Sequence, residues 1–245
     1  MPNQFVILAY PRTGSYNLMS LLDSCEDIAC YGELFKVTRI EIPKFRLNKL
    51  PFKTTEERDA NPKRFLTALS KQTPRKHFGF KLFQSHLANV AHLEDILRDW
   101  KWVILFRDPI ETYASMLRAH NTNIWTKPTG REIDDAVLNQ QVRFTPESLS
   151  NFAAVYSIYL RRCRDTAAAS PSFTLAYDQM NDRTTMSALL DFLGSEASAE
   201  SMQSTYQKQF TRPLQEGFEN WEEMQAYLSA NDLFGPTPET TVKSV

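Results

Sequence analysis

An arginine, a glycine and two hydroxyls crowd into the stretch Pro11-Arg12-Thr13-Gly14-Ser15, which continues as Tyr16-Asn17. These are the parts of an anion cradle. A glycine lets backbone N–H groups come close to a charged oxygen, and a helix that starts there turns its positive end toward it. The group that suits such a cradle is phosphate-like. A second anion grip is offered by Arg107, which ends an apolar run, and Ser115 beyond it. A guanidinium gives two parallel hydrogen bonds to a phosphate and a hydroxyl adds another. Two side chains have the chemistry of a proton acceptor: Glu33 in Tyr31-Gly32-Glu33-Leu34-Phe35, and His86 in Phe83-Gln84-Ser85-His86-Leu87. Lys81 lies just upstream of that histidine.

A cradle of this kind needs a strand before it and a helix behind it. Phe5 to Tyr10 is a continuous apolar run, as expected of a strand buried on both faces of a parallel sheet. Leu18, Leu21 and Leu22 recur at helical spacing and predict a helix over 15–24 with Ser15 as its N-cap. The same grammar returns along the chain. His77–Phe83 predicts a strand, His86–Trp100 a helix, and Lys101–Phe106 a strand that stops at Arg107-Asp108-Pro109. Pro109 suits the first turn of a helix through Ala119. Asp27–Tyr31 predicts a short strand, Glu147–Ala169 a long helix, Phe173–Tyr177 a strand, and Met186–Leu193 a helix closed by Gly194. Strands alternating with helices mean one α/β domain over 1–245 with a central parallel sheet flanked by helices. Parallel strands bring their carboxyl ends to one rim, so Arg12, Glu33, His86 and Arg107 are expected to meet there. Val37–Asn61 and Asn121–Thr145 are polar, hold proline, and read as insertions at that rim. From about Asn231, with Pro236 and Pro238, a loose tail is expected.

Composition narrows the function. Lys and Arg total 28 against 29 Asp and Glu, a formal net charge of −1, which argues against a nucleic-acid binder. No apolar run approaches the ~20 residues of a membrane span, and no signal-peptide core stands at the start, so a cytoplasmic location is expected. Cys25, Cys30 and Cys163 are too few and too irregular for a disulfide framework or a metal site, and read as buried thiols. His77, His92 and His120 show no ligand spacing and read as solvated.

Three phosphate sites share parts of the first loop. A nucleotide-triphosphatase P-loop wants lysine after the last glycine, but Ser15 follows Gly14 and the cation precedes it. A dinucleotide fingerprint needs three glycines. What remains is Pro-Arg/Lys-x-Gly-Ser/Thr, which resembles the loop with which sulfotransferases hold the 5′-phosphosulfate of 3′-phosphoadenosine 5′-phosphosulfate (PAPS). The resemblance runs in order from residue 5 to about 225. Phe106 to Ser115 is similar to the second signature of that superfamily, in which an arginine and a serine, here Arg107 and Ser115, grip the 3′-phosphate. Phe173 to Gly194 resembles the strand and helix around an aromatic-acid pair, here Tyr177-Asp178, with Tyr177 near the adenine. Gly79 to Leu87 is similar to the segment ending in the catalytic histidine of cytosolic members. Tyr31 to Phe35 instead resembles an element of bacterial and carbohydrate sulfotransferases in which a glutamate can serve as base. The Gly-rich basic C-terminal loop of cytosolic members is not recognisable, and Thr211-Arg212-Pro213 is its weak substitute.

The resemblance implies a P-loop-NTPase-like sulfotransferase fold and transfer of a sulfuryl group from PAPS to a hydroxyl or amine by in-line displacement, without a metal. It implies donor contacts from Arg12, Thr13, Gly14, Ser15, Tyr16, Asn17, Arg107, Ser115, Tyr177 and Arg212. Arg12, the loop amides and Lys81 would stabilise charge growing on the sulfuryl oxygens. Lys81 is alternatively an edge-strand residue turned outward. For the general base, imidazole is the better proton acceptor at neutral pH, which favours His86 narrowly over Glu33. The acceptor is a small molecule or a glycan. A basic stretch, Lys36, Arg39, Lys44, Arg46, Lys49 and Lys53, is either a solvated face or a surface for an anionic acceptor. Two other classes compete: a kinase-like phosphoryl transferase with Asp108 on magnesium, against which the missing lysine counts, and a nucleotide-binding module without turnover.

Overall fold

Apolar side chains on both faces of the opening strand put it in the middle of the protein. The computed structural model describes residues 3–238 and 241–243. In chain order its strands are β1 (Asn3–Ala9), β2 (Ile28–Glu33), β3 (His77–Phe83), β4 (Lys101–Phe106), β5 (Ser172–Ala176) and β6 (Val242–Lys243). They form one sheet in the order β2-β3-β1-β4-β5-β6. The first five are parallel and β6 runs antiparallel to β5. Val6 and Leu8 face one buried layer, which includes the long helix Pro146–Ala169. Phe5, Ile7 and Ala9 face the other, with α1 (Ser15–Asp23) and the helix Arg183–Leu193.

Connections from β1 lead toward β2 on one side, and those from β4 toward β5 on the other. Neighbouring strands β1 and β4 therefore diverge, and the crevice beyond their carboxyl ends is the switch point where ligands bind in open α/β sheets. Tyrosines of the long helix secure this rim. Tyr156 Oη donates to the Arg107 carbonyl at 2.7 Å, and Tyr159 Oη donates to the Leu105 carbonyl.

Four local expectations change. Gly14, not Ser15, caps α1, in a left-handed conformation (φ 86°) that a glycine adopts without strain. The helix expected over His86–Trp100 is two short helices, Gln84–Asn89 and Leu93–Leu97. Between them Val90 is extended and buried and His92 is left-handed, so packing overrides the helical pattern. The C-terminal segment is docked rather than loose. Leu233 and Phe234 pack on the core, Arg164 donates to the Pro236 carbonyl at 2.6 Å, and Val242 pairs with Phe173. Residues 239–240 and 244–245 of that segment lie outside the described residues. His77, expected in solvent, is buried with Nε2 3.5 Å from Asp27, while His92 and His120 are exposed.

Gly79 stands inside β3 because the sheet leaves no room for a side chain there. It pairs with Phe5 across the sheet, and a Cβ there would meet the Phe5 ring at 2.2 Å. Gly79→Ala is expected to lower stability by about 1–3 kcal/mol through overpacking. Urea unfolding measures this, and an unchanged midpoint would mean that the ring yields.

Candidate active site

The anion cradle is built where β1 ends. Arg12 is left-handed (φ 72°), unusual for a residue with a side chain and a mark of a functional turn. Two bonds support the turn: Arg107 Nη1 donates to the Arg12 carbonyl at 3.2 Å, and Thr13 Oγ1 to that of Tyr10 at 2.7 Å. Ser15, Tyr16 and Asn17 open α1, where the first N–H groups have no intrahelical partner and face an anion naturally. Tyr177 closes over the loop, since a Cβ on Gly14 would meet its ring at 2.5 Å, and the Arg107 guanidinium lies 4.2 Å from that ring's centre. Arg107 is also held by Glu111 at 2.8 Å.

The Arg12 side chain turns toward this same end. Nε donates to Ser115 Oγ at 3.0 Å, Nη1 to the Trp125 carbonyl and Nη2 to Gln209 Oε1. Arg12, Ser115 and Arg107 thus form one group. Burial first, and the charge of Arg107 second, pull Arg12 down to about 10. Arg118, missed by the sequence analysis, is lowered to about 10 by burial and by the charges of Arg107 and Arg12.

A bulge brings the carboxylate in. Cys30 pairs with Gly79 and Tyr31 with Phe80, but Glu33 rather than Gly32 pairs with Lys81. One extra residue in β2 swings Glu33 to the α1 face, which a regular strand would have denied it. Lys81, expected at an edge or in the site, lies inside the sheet with no exposure. Its Nζ is 3.1 Å from Glu33 Oε1, off the direction of a good hydrogen bond, and 3.2 Å from the centre of the Tyr16 ring. Tyr16 Oη donates to Glu33 Oε1 at 3.4 Å. Burial would raise the Glu33 carboxyl, but the His86 hydrogen bond and the Lys81 charge outweigh it and hold the group at about 2. Burial lowers Lys81 to about 8 against the opposing pull of Glu33.

These residues line a cleft of about 990 Å³, with nine cationic side chains against the three carboxylates Glu33, Glu111 and Asp178. Arg12, Gly14, Ser15, Tyr16, Asn17, Glu33, Lys81, Arg107, Ser115 and Tyr177, expected at the site from the sequence, all line it. Three other candidates do not. Thr13 is buried under the loop, Arg212 is exposed outside the cleft, and His86 is buried behind Glu33. In place of Arg212, the segment 204–210 crosses the cleft as a strap carrying Lys208. Thr205 N–H donates to Ser20 Oγ at 2.8 Å, Tyr206 packs on Tyr16, and Gln207 N–H donates to the Lys127 carbonyl at 2.9 Å. No sequence signal marks this strap, because its partners come from α1 and from residues beyond 120. Much of the basic stretch is engaged in bonds of its own, although Lys36 and Arg39 also line the cleft. Lys36 and Arg39 pair with Glu41, Arg46 donates to Gln72 and Lys53 to three carbonyls of its own loop. Buried Arg58 shapes the loop after Glu33, donating to the Leu34 and Lys36 carbonyls at 3.0 and 2.9 Å.

Comparison with known proteins agrees with this geometry. The sulfotransferase domain model matches residues 2–225. The chain belongs to the sulfotransferase family. As a member it transfers a sulfuryl group, with PAPS as donor. It is 27% identical over 233 residues to nodulation protein H of Rhizobium tropici, covering 93% of this chain and 90% of that one. The fold is that of a sulfotransferase from Alicyclobacillus acidocaldarius (TM-score 0.52, 16% identity, 94% of this chain and 92% of the other). It is also that of the sulfotransferase domain of the curacin biosynthetic pathway (TM-score 0.54, 15% identity, 100% and 94%).

The two buried charges predict a pH dependence for any reaction in which the pair takes part. Glu33, at about 2, stays ionised through the neutral range and adds no acid limb there. Lys81 loses its proton as pH rises through about 8, so turnover should fall on the alkaline side with a midpoint near that value. Lys81→Arg should carry the limb out of range. A turnover rate unchanged on crossing that pH would remove the Lys81 charge from the reaction.

Proposed function

We propose that Arg107, Arg118 and Ser115 hold the 3′-phosphate of PAPS, joined by Arg12, which bonds Ser115 and so serves this end rather than the sulfuryl oxygens where the sequence resemblance put it, that the amides of Ser15, Tyr16 and Asn17 hold the 5′-phosphosulfate, and that Tyr177 borders the adenine. Lys208 on the strap serves where Arg212 was expected. One observation carries this reading: three guanidiniums crowd together so closely that the charge of Arg107 adds to burial in lowering Arg12 and Arg118, with Glu111 the offsetting carboxylate. Such crowding is unfavourable without an anion to share it, and a dianionic phosphate fits the donor set. Bound PAPS supplies a sulfuryl group already activated on its 5′-phosphate.

Glu33 is the general base. It lines the cleft, whereas His86 does not. A carboxylate at about 2 is weak as bases go, yet the acceptor's proton becomes strongly acidic as transfer proceeds, and this base is never found in the wrong protonation state. Lys81, within 3.1 Å of Glu33 and on the cleft wall, balances the carboxylate and stabilises negative charge at the transferred group. The acceptor brings a hydroxyl or amine on a small molecule or glycan. An anionic acceptor draws support only from Lys36 and Arg39, which line the cleft and share the one carboxylate of Glu41. A cytoplasmic location suits three free, buried cysteines; no helix among the described residues is long and apolar enough to cross a membrane.

Two measurements test this reading. Arg107→Ala should weaken binding of 3′-phosphoadenosine 5′-phosphate by about 2 kcal/mol, roughly 30-fold, in calorimetry without added metal. Glu33→Gln, which keeps an oxygen for Lys81, should cut turnover by about 10²–10⁴ with nucleotide affinity intact. Equal affinity in the arginine variant would overturn the phosphate assignment, and full turnover in the glutamine variant the choice of base.

A further inference from the structure

His86 sits behind the cleft, 4% exposed, with both ring nitrogens aimed at named partners. The N–H of Phe83, last residue of β3, donates to His86 Nδ1 at 3.1 Å. This is the reach-back of a side chain in the first helical turn to the amide that precedes the helix. It decides the tautomer: a nitrogen that accepts from an N–H carries no proton, so the imidazole proton sits on Nε2. Nε2 lies 3.5 Å from Glu33 Oε2, while Lys81 Nζ lies 3.1 Å from Oε1. The Phe83 ring packs on the imidazole at 5.4 Å between centres, at 30°, and opposes its rotation.

We infer that His86 is a positioning residue for sulfuryl transfer: its backbone-locked Nε2–H holds Oε2 of Glu33 while Lys81 addresses Oε1, so that the carboxylate plane is fixed toward the cleft. The inference rests on Glu33 as the base. Rotation of a carboxylate about its last bond is otherwise soft, and a proton acceptor works only with a lone pair aimed within hydrogen-bond reach. The same geometry bars His86 from being the base. One ring nitrogen accepts from the backbone and the other already bears a proton, so the imidazole has no free lone pair to offer.

The test combines a spectrum with kinetics. In ¹⁵N-histidine NMR of the intact chain, the signals lost in His86→Gln identify this ring. They should show a protonated Nε2 and an unprotonated Nδ1, and the Nε2 signal should move in Glu33→Gln. Cleavage of PAPS in a single turnover, with water as acceptor, supplies the rate. His86→Leu should lose about tenfold or more in rate with affinity for 3′-phosphoadenosine 5′-phosphate unchanged. His86→Gln retains an N–H donor of similar reach and should recover most of that loss. Because His86 acts through Glu33, His86→Leu should cost nothing further in the Glu33→Gln background. A proton on Nδ1, or a His86→Gln variant as slow as His86→Leu with binding intact, would overturn the inference; the second result would make His86 the base. A Glu33→Gln variant of undiminished rate would instead overturn the choice of Glu33, a separate failure. Should His86→Leu not fold, the wild-type tautomer and the glutamine variant decide the matter.

Discussion

An ammonium group in the middle of a β-sheet must be neutralised or lose its proton, and much of the active-site architecture answers that demand at Lys81. The lysine is fully buried on an interior strand between β2 and β1. Its partner Glu33 is available only because β2 carries one extra residue, and the glycine at that position, Gly32, has Glu41 Oε2 3.1 Å from where a Cβ would stand. Losing one partner of a buried pair leaves the other charge uncompensated, at a cost of about 3–5 kcal/mol. The pair is therefore tied to the fold as firmly as to the chemistry. It also explains why a carboxylate so largely buried stays ionised: the His86 donor and the local cation outweigh burial.

At the other end of the cleft the balance reverses. Arg12, Arg107 and Arg118 repel one another, and the protein holds them by spending their donors on its own oxygens. Arg107 takes Glu111 and the Arg12 carbonyl, Arg118 the Gly217 carbonyl, and Arg12 takes Ser115, Trp125 and Gln209. An anion that enters here meets guanidiniums already oriented, which lowers the cost of organising them. The two ends of the cleft thus differ in character, with fixed positive charge at one and the neutralised Lys81–Glu33 pair at the other.

The first insertion shows how structural duties absorb charge that looks free in a sequence. Arg58 disappears entirely into the protein, paired bidentately with Asp59 at 2.7 and 2.9 Å, and its remaining nitrogen gathers carbonyls of the loop after Glu33. Glu41 collects Lys36 and Arg39 and also accepts from Tyr16 and from the Glu33 amide. What reads as a basic face is in part the frame that holds Glu33 in position.

Local pattern was enough for the alternating strands and helices, the rim on which the ligands gather, the Arg12 loop and the Arg107 and Ser115 pair. Each depends on residues near one another in the chain: an apolar run, a glycine free to turn left-handed, a proline at a helix start. The choice between His86 and Glu33 was not legible in this way. It turns on a single inserted residue in β2, which moves a side chain from one face of the sheet to the other, and on a backbone amide that consumes one imidazole nitrogen. Neither leaves a periodic trace in sequence. The strap over the cleft and the docked C-terminal segment were hidden for a related reason, since their partners lie far away along the chain and only folding brings them into contact. The sequence by itself determined the strands and helices that carry most of these groups to the rim; tertiary structure decided which of them line the cleft and which way each one points, because direction is set by the neighbours that packing supplies.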